Sequence, residues 1–372
     1  MEIRGIKYVG PIFDVSGYGQ AARGYALSLH KLGIPLTIDS VSFEEGLADF
    51  GETSRILAPL VDKNIDYNIV IIHLTANLFC SKAEPGKMNI GYFVWETDKV
   101  HEEWVEEANK SVSFVMTASQ WGADIFRKSG ITVPVAAIPH GIDADEFVDV
   151  DPYTVAGVKQ NAYKFYGIFQ FTERKHPMAL IKSYWSAFQN NENVALILKT
   201  YRNGFADSEK EAIRATIKRL KKVTNMPIYP PIYLISERLD RSELLGLHKT
   251  CDCLVHLDRG EGFGLVPFEA GVCGNPILIT GWGGALEYAK EDNSYLVNYT
   301  LTPVFGMPWS PWYSGNQLWA EPDCGHAIEL LREIYNNQGE ARIRGEKLKQ
   351  YIIDNFSWEN VGSKIIETIK SL

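Results

Sequence analysis

Apolar residues in this chain come in short runs, separated by stretches where they recur every three or four positions. In the first half the runs are β-branched or aromatic and fall at 6–9, 36–41, 68–74, 89–95, 113–117 and 133–138. In the second half they fall at 163–171, 194–199, 232–236, 253–257 and 276–280. Runs of this length, bounded by Gly, Pro and polar clusters, read as buried strands, and their alternation with helix-period stretches predicts parallel sheets wrapped by helices, an α/β fold. One helix is read over 20–32, where Ala21, Tyr25, Leu29 and Leu32 share a stripe that Gly33 and Pro35 stop. The stretch 299–319, rich in Pro, Trp, Tyr and Gly, breaks the rhythm and is expected to be a long ordered loop. Two helical patterns close the chain, divided near Phe356, with Ser357 placed to cap the last.

At 372 residues the chain exceeds what one core usually fills, so two domains are expected. The acidic, Pro-containing stretch from Asp143 through Pro152 serves as linker and sets the domains at 1–150 and 151–355, with 356–372 as a final helix. A net charge of -9 excludes a nucleic-acid partner, which needs clustered cations. The local exception is Lys210, Arg214, Lys218, Arg219 and Lys221 on one helical stretch; this is a solvated face or, more sharply, a peripheral contact with an anionic membrane or acceptor surface. Five cysteines, an odd number in a long chain, suit a reducing compartment, and Cys251 and Cys253 are too close in sequence for a zinc site. With no apolar leader and no run long enough to span a bilayer, the expected location is the cytoplasm or the inner face of its membrane.

The most informative segment, Glu261-Gly262-Phe263-Gly264-Leu265-Val266-Pro267-Phe268-Glu269, directly follows the run ending at Leu257. A loop leaving the C-terminal end of a parallel strand and entering a helix is where open α/β sheets bind ligands. Gly262 and Gly264 let backbone approach a ligand, and the free amides that follow favour a diphosphate. Glu269 can accept both hydroxyls of a ribose, and Glu261 those of a transferred sugar.

This pair of glutamates around Gly-Phe-Gly resembles the signature of retaining glycosyltransferases of GT-B fold, the large group 1 family of bacterial mannosyl-, glucosyl- and N-acetylglucosaminyltransferases. The resemblance implies two Rossmann-like parallel-sheet domains facing a cleft, a C-terminal helix crossing back to the first domain, and transfer of a hexose or N-acetylhexosamine from a UDP- or GDP-linked donor. The acceptor would be a glycan, a lipid-linked or a small molecule; neither a metal nor any other cofactor is expected. Lys175, in Phe171-Thr172-Glu173-Arg174-Lys175, matches the family's diphosphate lysine, whereas the family's arginine falls on Gln170, so Arg174 is assigned the second cation. Lys175, Arg174 and Glu261 are thus the catalytic candidates. Thr172, Arg238, Leu239, Gly262, Phe263, Gly264, Leu265, Val266 and Glu269 are the donor-binding ones, together with Gly17 and Gly19 of the first domain. Of these, 235–244 resembles the loop whose backbone reads the base, and 112–146 resembles the end of the family's first domain. Tyr18, Trp95, Glu96 and His140 are candidates for acceptor or sugar contact; His140 is read equally as a hinge anchor, and no histidine stands where many relatives carry a sugar-contacting one.

Three rivals remain: a nucleotide-sugar epimerase of the same fold, an inactive nucleotide-sugar-binding partner, and a dinucleotide oxidoreductase using Gly17, Gly19 and Asp39. Against the last, 11–16 separates the glycines from the first strand, whereas a dinucleotide turn needs its first glycine at the strand end.

Overall fold

The structure is a computed structural model describing residues 2–43, 48–189, 192–307 and 310–372. It forms two compact units, Met1–Asp143 with Ile353–Leu372, and Ala144–Ile352. The break therefore falls at Asp143 rather than at 150, and the first unit's closing segment starts at Ile353 rather than at 356.

The first unit is built on strands β1 (Ile6–Gly10), β2 (Leu36–Ser40), β3 (Ile69–His73), β4 (Met88–Tyr92), β5 (Phe114–Thr117) and β6 (Val135–Ala137). They pair in parallel in the order β2-β1-β3-β4-β5-β6. Helices α1 (Gly17–Lys31), α2 (Glu52–Leu57), α3 (Phe79–Lys82), α4 (Glu102–Ser111) and α5 (Gln120–Lys128) connect them. Coverage by helices explains why β3 is buried at every position, and apolar up to His73 at its end, rather than alternating. The first helix starts at Gly17, earlier than its apolar stripe, because Ser16 Oγ caps it by accepting the Gly19 N–H at 3.1 Å.

The strand expected over 89–95 stops at Tyr92. Beyond it the chain turns inward, and Trp95 Nε1 donates to Thr97 Oγ1 at 2.6 Å and to the Lys99 carbonyl at 2.8 Å. Its ring packs edge-on against Trp104 at 4.9 Å.

The second unit carries β7 (Tyr163–Gln170), β8 (Val194–Tyr201), β9 (Ile232–Ile235), β10 (Cys253–His256), β11 (Ile277–Thr280) and β12 (Tyr295–Val297). These form a parallel sheet in the order β12-β11-β10-β7-β8-β9, with β12 an addition to the strands expected. Its helices are α6 (Pro177–Ala187), α7 (Asp207–Thr224), α8 (Arg241–Thr250), α9 (Leu265–Val272), α10 (Cys324–Asn336) and α11 (Gln338–Asn355), whose end from Ile353 belongs to the first unit.

The loop expected over 299–319 is instead an antiparallel hairpin, β13 (Tyr299–Pro303) with β14 (Leu318–Pro322), whose connection includes Pro308 and Trp309, both outside the described residues. Thr300, Leu301 and Thr302 supply the strand-forming side chains that the surrounding aromatics and prolines obscure. The final helix α12 (Trp358–Ser371) is capped by Ser357 as expected. It belongs to the first unit, where Trp358 packs edge-on against Tyr25 and its carbonyl accepts from Ser28 Oγ at 2.6 Å.

Candidate functional site

Each sheet reverses its strand order at one point, between β1 and β3 in the first unit and between β7 and β10 in the second. Connections leave such neighbours in opposite directions, opening a crevice at their C-terminal ends where ligands of doubly wound sheets bind. The two loops at the second unit's reversal are Phe171 to His176, after β7, and Leu257 to Gly264, after β10.

These loops are pinned to each other. The Arg259 N–H donates to the Arg174 carbonyl at 2.7 Å. The buried Arg259 guanidinium lies over the Trp319 ring and donates to Glu321 at 2.7 Å and to the Glu173 carbonyl at 2.8 Å. His176, at a left-handed φ of 47°, reaches Glu321 Oε1 with Nε2 at 2.9 Å. A left-handed conformation in a non-glycine residue is strained and persists only where its surroundings fix it, as this network does. Burial by itself would raise the Glu321 carboxyl, but hydrogen bonds from His176 and Arg259 bring it down to about 2. The hairpin missed in the sequence therefore holds the β7 loop in place.

Glu261 is the centre of the resulting arrangement. Its Oε1 is paired with Lys175 Nζ, lies 3.5 Å from Arg174 Nη1 and is 3.2 Å from His256 Nε2. Arg174 Nη1 also donates to the Gly260 carbonyl at 2.7 Å, which directs it to the same carboxylate. Gln170 is not part of the cluster: its amide donates to the Arg202 carbonyl at 2.8 Å, toward the end of β8. His256 bonds Asp258 at 2.8 Å, yet burial, aided by Lys175 and Arg174, keeps its imidazole below the ordinary histidine value.

His256, Asp258 and Glu261 bring their ligand atoms within 4.8 Å of one another, the spacing of a metal site. Two cationic side chains already converge on Glu261 Oε1, and like charges at this range disfavour adding a metal cation beside them.

Past Glu261 the chain enters α9 through Gly264, whose φ of 81° requires a residue without a Cβ. Tyr288 fixes the turn by donating its hydroxyl to the Gly264 carbonyl at 2.6 Å. Phe263, a donor-binding candidate, packs instead against Phe268 and Tyr288, 3% exposed, so only its backbone can face a ligand. The first amides of α9, those of Leu265 and Val266, have no intrahelical acceptor and carry the positive end of the helix dipole.

Glu269, one turn further on, is buried, and its Oε1 accepts from Arg241 Nη1 at 2.7 Å. Arg241 also holds Glu146 with two bonds, at 2.8 and 2.9 Å. Arg241 was not anticipated; the signal was available in Asp240-Arg241-Ser242-Glu243, a capping box that places it at the first position of α8. Thr172 caps the β7 loop through the Lys175 N–H, Arg238 is exposed and Leu239 half-buried at the entry to α8.

In the first unit Tyr8 of β1, His73 of β3, Tyr92 of β4, Tyr25 of α1 and His140, after β6, form an aromatic and histidine cluster. Tyr25 bonds Tyr92 at 2.8 Å, His140 Nδ1 at 3.1 Å and the Ile138 and Pro139 carbonyls at 2.9 Å. Tyr8 bonds His73 Nδ1 at 2.7 Å. Burial lowers the imidazole of His73, and brings that of His140 down to about 3.

His140 is thus a buried anchor rather than an exposed sugar contact. Trp95 is likewise removed from the contact candidates, being 2% exposed with its indole N–H used internally. Gly19 also has a different reason from the one expected. A Cβ there would lie 2.2 Å from the Asp14 carbonyl oxygen, and its N–H is taken by Ser16, so close packing rather than phosphate approach requires glycine.

Gly17 is exposed at the start of α1, Tyr18 rests on His73 with its hydroxyl 3.3 Å from the Val94 nitrogen, and Glu96 is half-buried. Loop 11–16 does separate β1 from α1, and Asp39, the residue a dinucleotide would need, is bonded to Lys82 at 3.0 Å.

Residues 234–300 match the family model described as glycosyl transferases group 1, a span that includes both Glu261 and Glu269. An uncharacterized protein, number 356, of Sulfolobus islandicus rod-shaped virus 1 is 23% identical over 337 residues, covering 82% of this chain and 85% of that protein. The sucrose-phosphate synthase of Thermosynechococcus elongatus superposes with a TM-score of 0.70 at 14% identity over 99% of this chain and 98% of that one. Anabaena Alr3699/HepE in complex with UDP-glucose gives 0.66 at 15% over 100% of both chains. The Escherichia coli trehalose-6-phosphate protein bound with UDP-2-fluoro glucose gives 0.68 at 13% over 99% of both. At these identities the structural likeness shows the fold, GT-B, and the match over 234–300 supports a group 1 glycosyltransferase. Among the described residues no helix is long and apolar enough to cross a membrane.

Proposed function

We propose that the chain is a retaining, metal-independent glycosyltransferase that moves a hexose or N-acetylhexosamine from a nucleotide diphosphate sugar to a carbohydrate or lipid-linked acceptor, and that the second unit holds the donor. The observation that carries this reading is the convergence of Lys175 and Arg174 on Glu261 at the reversal of strand order, beside the open N-terminus of α9. Complexes of similar folds with UDP-glucose and UDP-2-fluoro glucose support a UDP-linked donor.

Cleaving a nucleotide sugar at its anomeric carbon builds negative charge on the departing diphosphate. Fixed cations and amides aimed at that charge lower the barrier. Lys175, Arg174 and the Leu265 and Val266 amides are assigned this role, and their cations make a metal unnecessary. When the diphosphate takes the cations, Glu261 is released to accept hydroxyls of the transferred sugar, and Glu269, turned from Arg241, to accept those of the ribose. Half-buried Tyr18 and Glu96 are assigned acceptor contact in the first unit, and exposed Gly17 remains a donor-binding candidate.

The basic face of α7 counts for the solvated reading where it is paired, Lys210 with Asp207 at 3.1 Å and Arg214 with Glu211 at 2.6 Å. All five cysteines are free, in keeping with a reducing compartment.

Incubation with UDP- and GDP-sugars and a panel of glycoside acceptors, with the anomeric configuration of the product read by NMR, tests the proposal. A product with the donor's configuration, formed in the presence of EDTA, is expected. An inverted product would refute retention. Donor turnover without any acceptor, giving an isomeric nucleotide sugar, would replace transfer by epimerisation.

A further inference from the structure

One buried charge in the second unit has no part in the chemistry above. Lys199, near the C-terminal end of β8, is 6% exposed, and its side chain makes no hydrogen bond or ion pair among the described residues. Its ammonium faces two aromatic rings, Phe205 of the loop that follows at 5.0 Å and Tyr201, the last residue of β8, at 5.9 Å from their centroids. Those rings are half-buried and lie 5.0 Å apart at an angle of 32°, leaving part of their surface open. An ammonium buried without a carboxylate partner is costly, and the preceding residues of the strand, Leu196, Ile197 and Leu198, show what packing alone selects there.

Sheet register places Lys199 beside the proposed donor site. Leu196 and Leu198 belong to the core on one face of the sheet, so Ile197 and Lys199 point to the other. Leu254, Tyr166, Ile197 and Tyr233 form one row across β10, β7, β8 and β9. Two residues further along each strand, on the same face, stand His256, Ile168, Lys199 and Ile235. Neighbouring strands are about 4.8 Å apart, which sets Lys199 roughly 10 Å from His256 along this row. Lys199 therefore lies between the cations after β7 and the loop that begins at Ser236, after β9. Burial lowers its ammonium to about 8, against the attraction of Glu237, so it stays protonated at neutral pH.

Resting on the reading of this unit as a nucleotide-sugar site, we infer that Lys199 reads the base of the donor: its ammonium donates to the carbonyl oxygen of a keto base, uracil or guanine, that lies on the Tyr201 and Phe205 rings. An ammonium only donates. Guanine O6 and uracil O4 accept, whereas adenine and cytosine present amino groups at the same edge and would meet it donor to donor.

Calorimetric titration of wild type and Lys199→Met with UDP, GDP, ADP, CDP and inorganic pyrophosphate tests this. Wild type should bind UDP or GDP in preference to ADP and CDP. Lys199→Met should lose on the order of tenfold to hundredfold affinity for the preferred nucleotide, as for a hydrogen bond to a charged group, with pyrophosphate binding unchanged. Equal losses for nucleotide and pyrophosphate would make Lys199 a diphosphate ligand and overturn the inference, as would a methionine variant that keeps wild-type selectivity. A wild-type protein that binds no nucleoside diphosphate would overturn the functional reading itself. Should Lys199→Met not fold, Phe205→Ala reads the same platform: a loss of about tenfold confined to nucleotides is expected from removal of a stacking ring, and undiminished nucleotide affinity overturns the inference.

Discussion

Where strand order reverses in the second unit, two cations meet one carboxylate beside a helix N-terminus. Where it reverses in the first, tyrosine hydroxyls and neutral histidines close on one another and on backbone carbonyls. The backbone plan is the same, yet the first cluster satisfies its own polar groups and the second presents charges that a ligand can take over. The sheet provides a place for chemistry, and the side chains at the loop ends decide whether it is used for binding an anion or for holding the unit together.

The largest expected effect is at Lys175. Lys175→Ala should lower turnover about a hundredfold or more, since its charge matters most as the diphosphate leaves, and Arg174→Ala should give a smaller loss of the same kind. Steady-state kinetics with saturating donor would show it, and a neutral Lys175→Ala would remove the distinction between the two sheets. Next, Glu269→Gln should act mainly on the donor Michaelis constant, raising it by about tenfold, because a ribose contact is made equally before and during reaction. A fall in turnover at constant Michaelis constant would contradict the ribose assignment.

In the first unit Tyr25→Phe should act on stability instead. It leaves His140, Tyr92 and two carbonyls short of a partner and should cost on the order of 1–3 kcal/mol in chemical denaturation, with nucleotide affinity intact. The smallest effect concerns pH. His73 and His140 are held neutral in the folded state, with pKa values below the ordinary one of about 6.5. The unfolded chain therefore binds more protons in acid, and stability should fall as pH drops below about 6.5, by at most roughly 1.4 kcal/mol per pH unit for each histidine. For His140 the loss continues down to its folded value of about 3. His140→Gln should flatten the slope, and an unchanged slope would mean that this histidine titrates normally.

The parallel sheets were legible because buried β-branched runs are distinctive, and the loops carrying Lys175 and Glu261 because each directly follows such a run. What escaped is set by long-range contact. Trp95 follows a strand and looks exposed in sequence, but its indole folds back on Thr97 and Lys99. The hairpin β13–β14 pairs residues such as Tyr299 and Pro322 across a segment whose prolines and tryptophans suggest a loop. Arg241 meets Glu269 only because α8 and α9, the helices before and after β10, pack against each other, and no local pattern records that pairing. Lys199 reads as one more residue of an apolar run until the register shows which face it occupies.

The central claim is that a nucleoside diphosphate binds at the reversal point of the second sheet. Hydrogen–deuterium exchange with and without UDP or GDP tests it most directly. The account predicts new protection in 171–176, 236–239 and 261–269, lost in Lys175→Ala. Protection confined to 11–19 and 93–98 of the first unit, with those three segments unchanged, would contradict it.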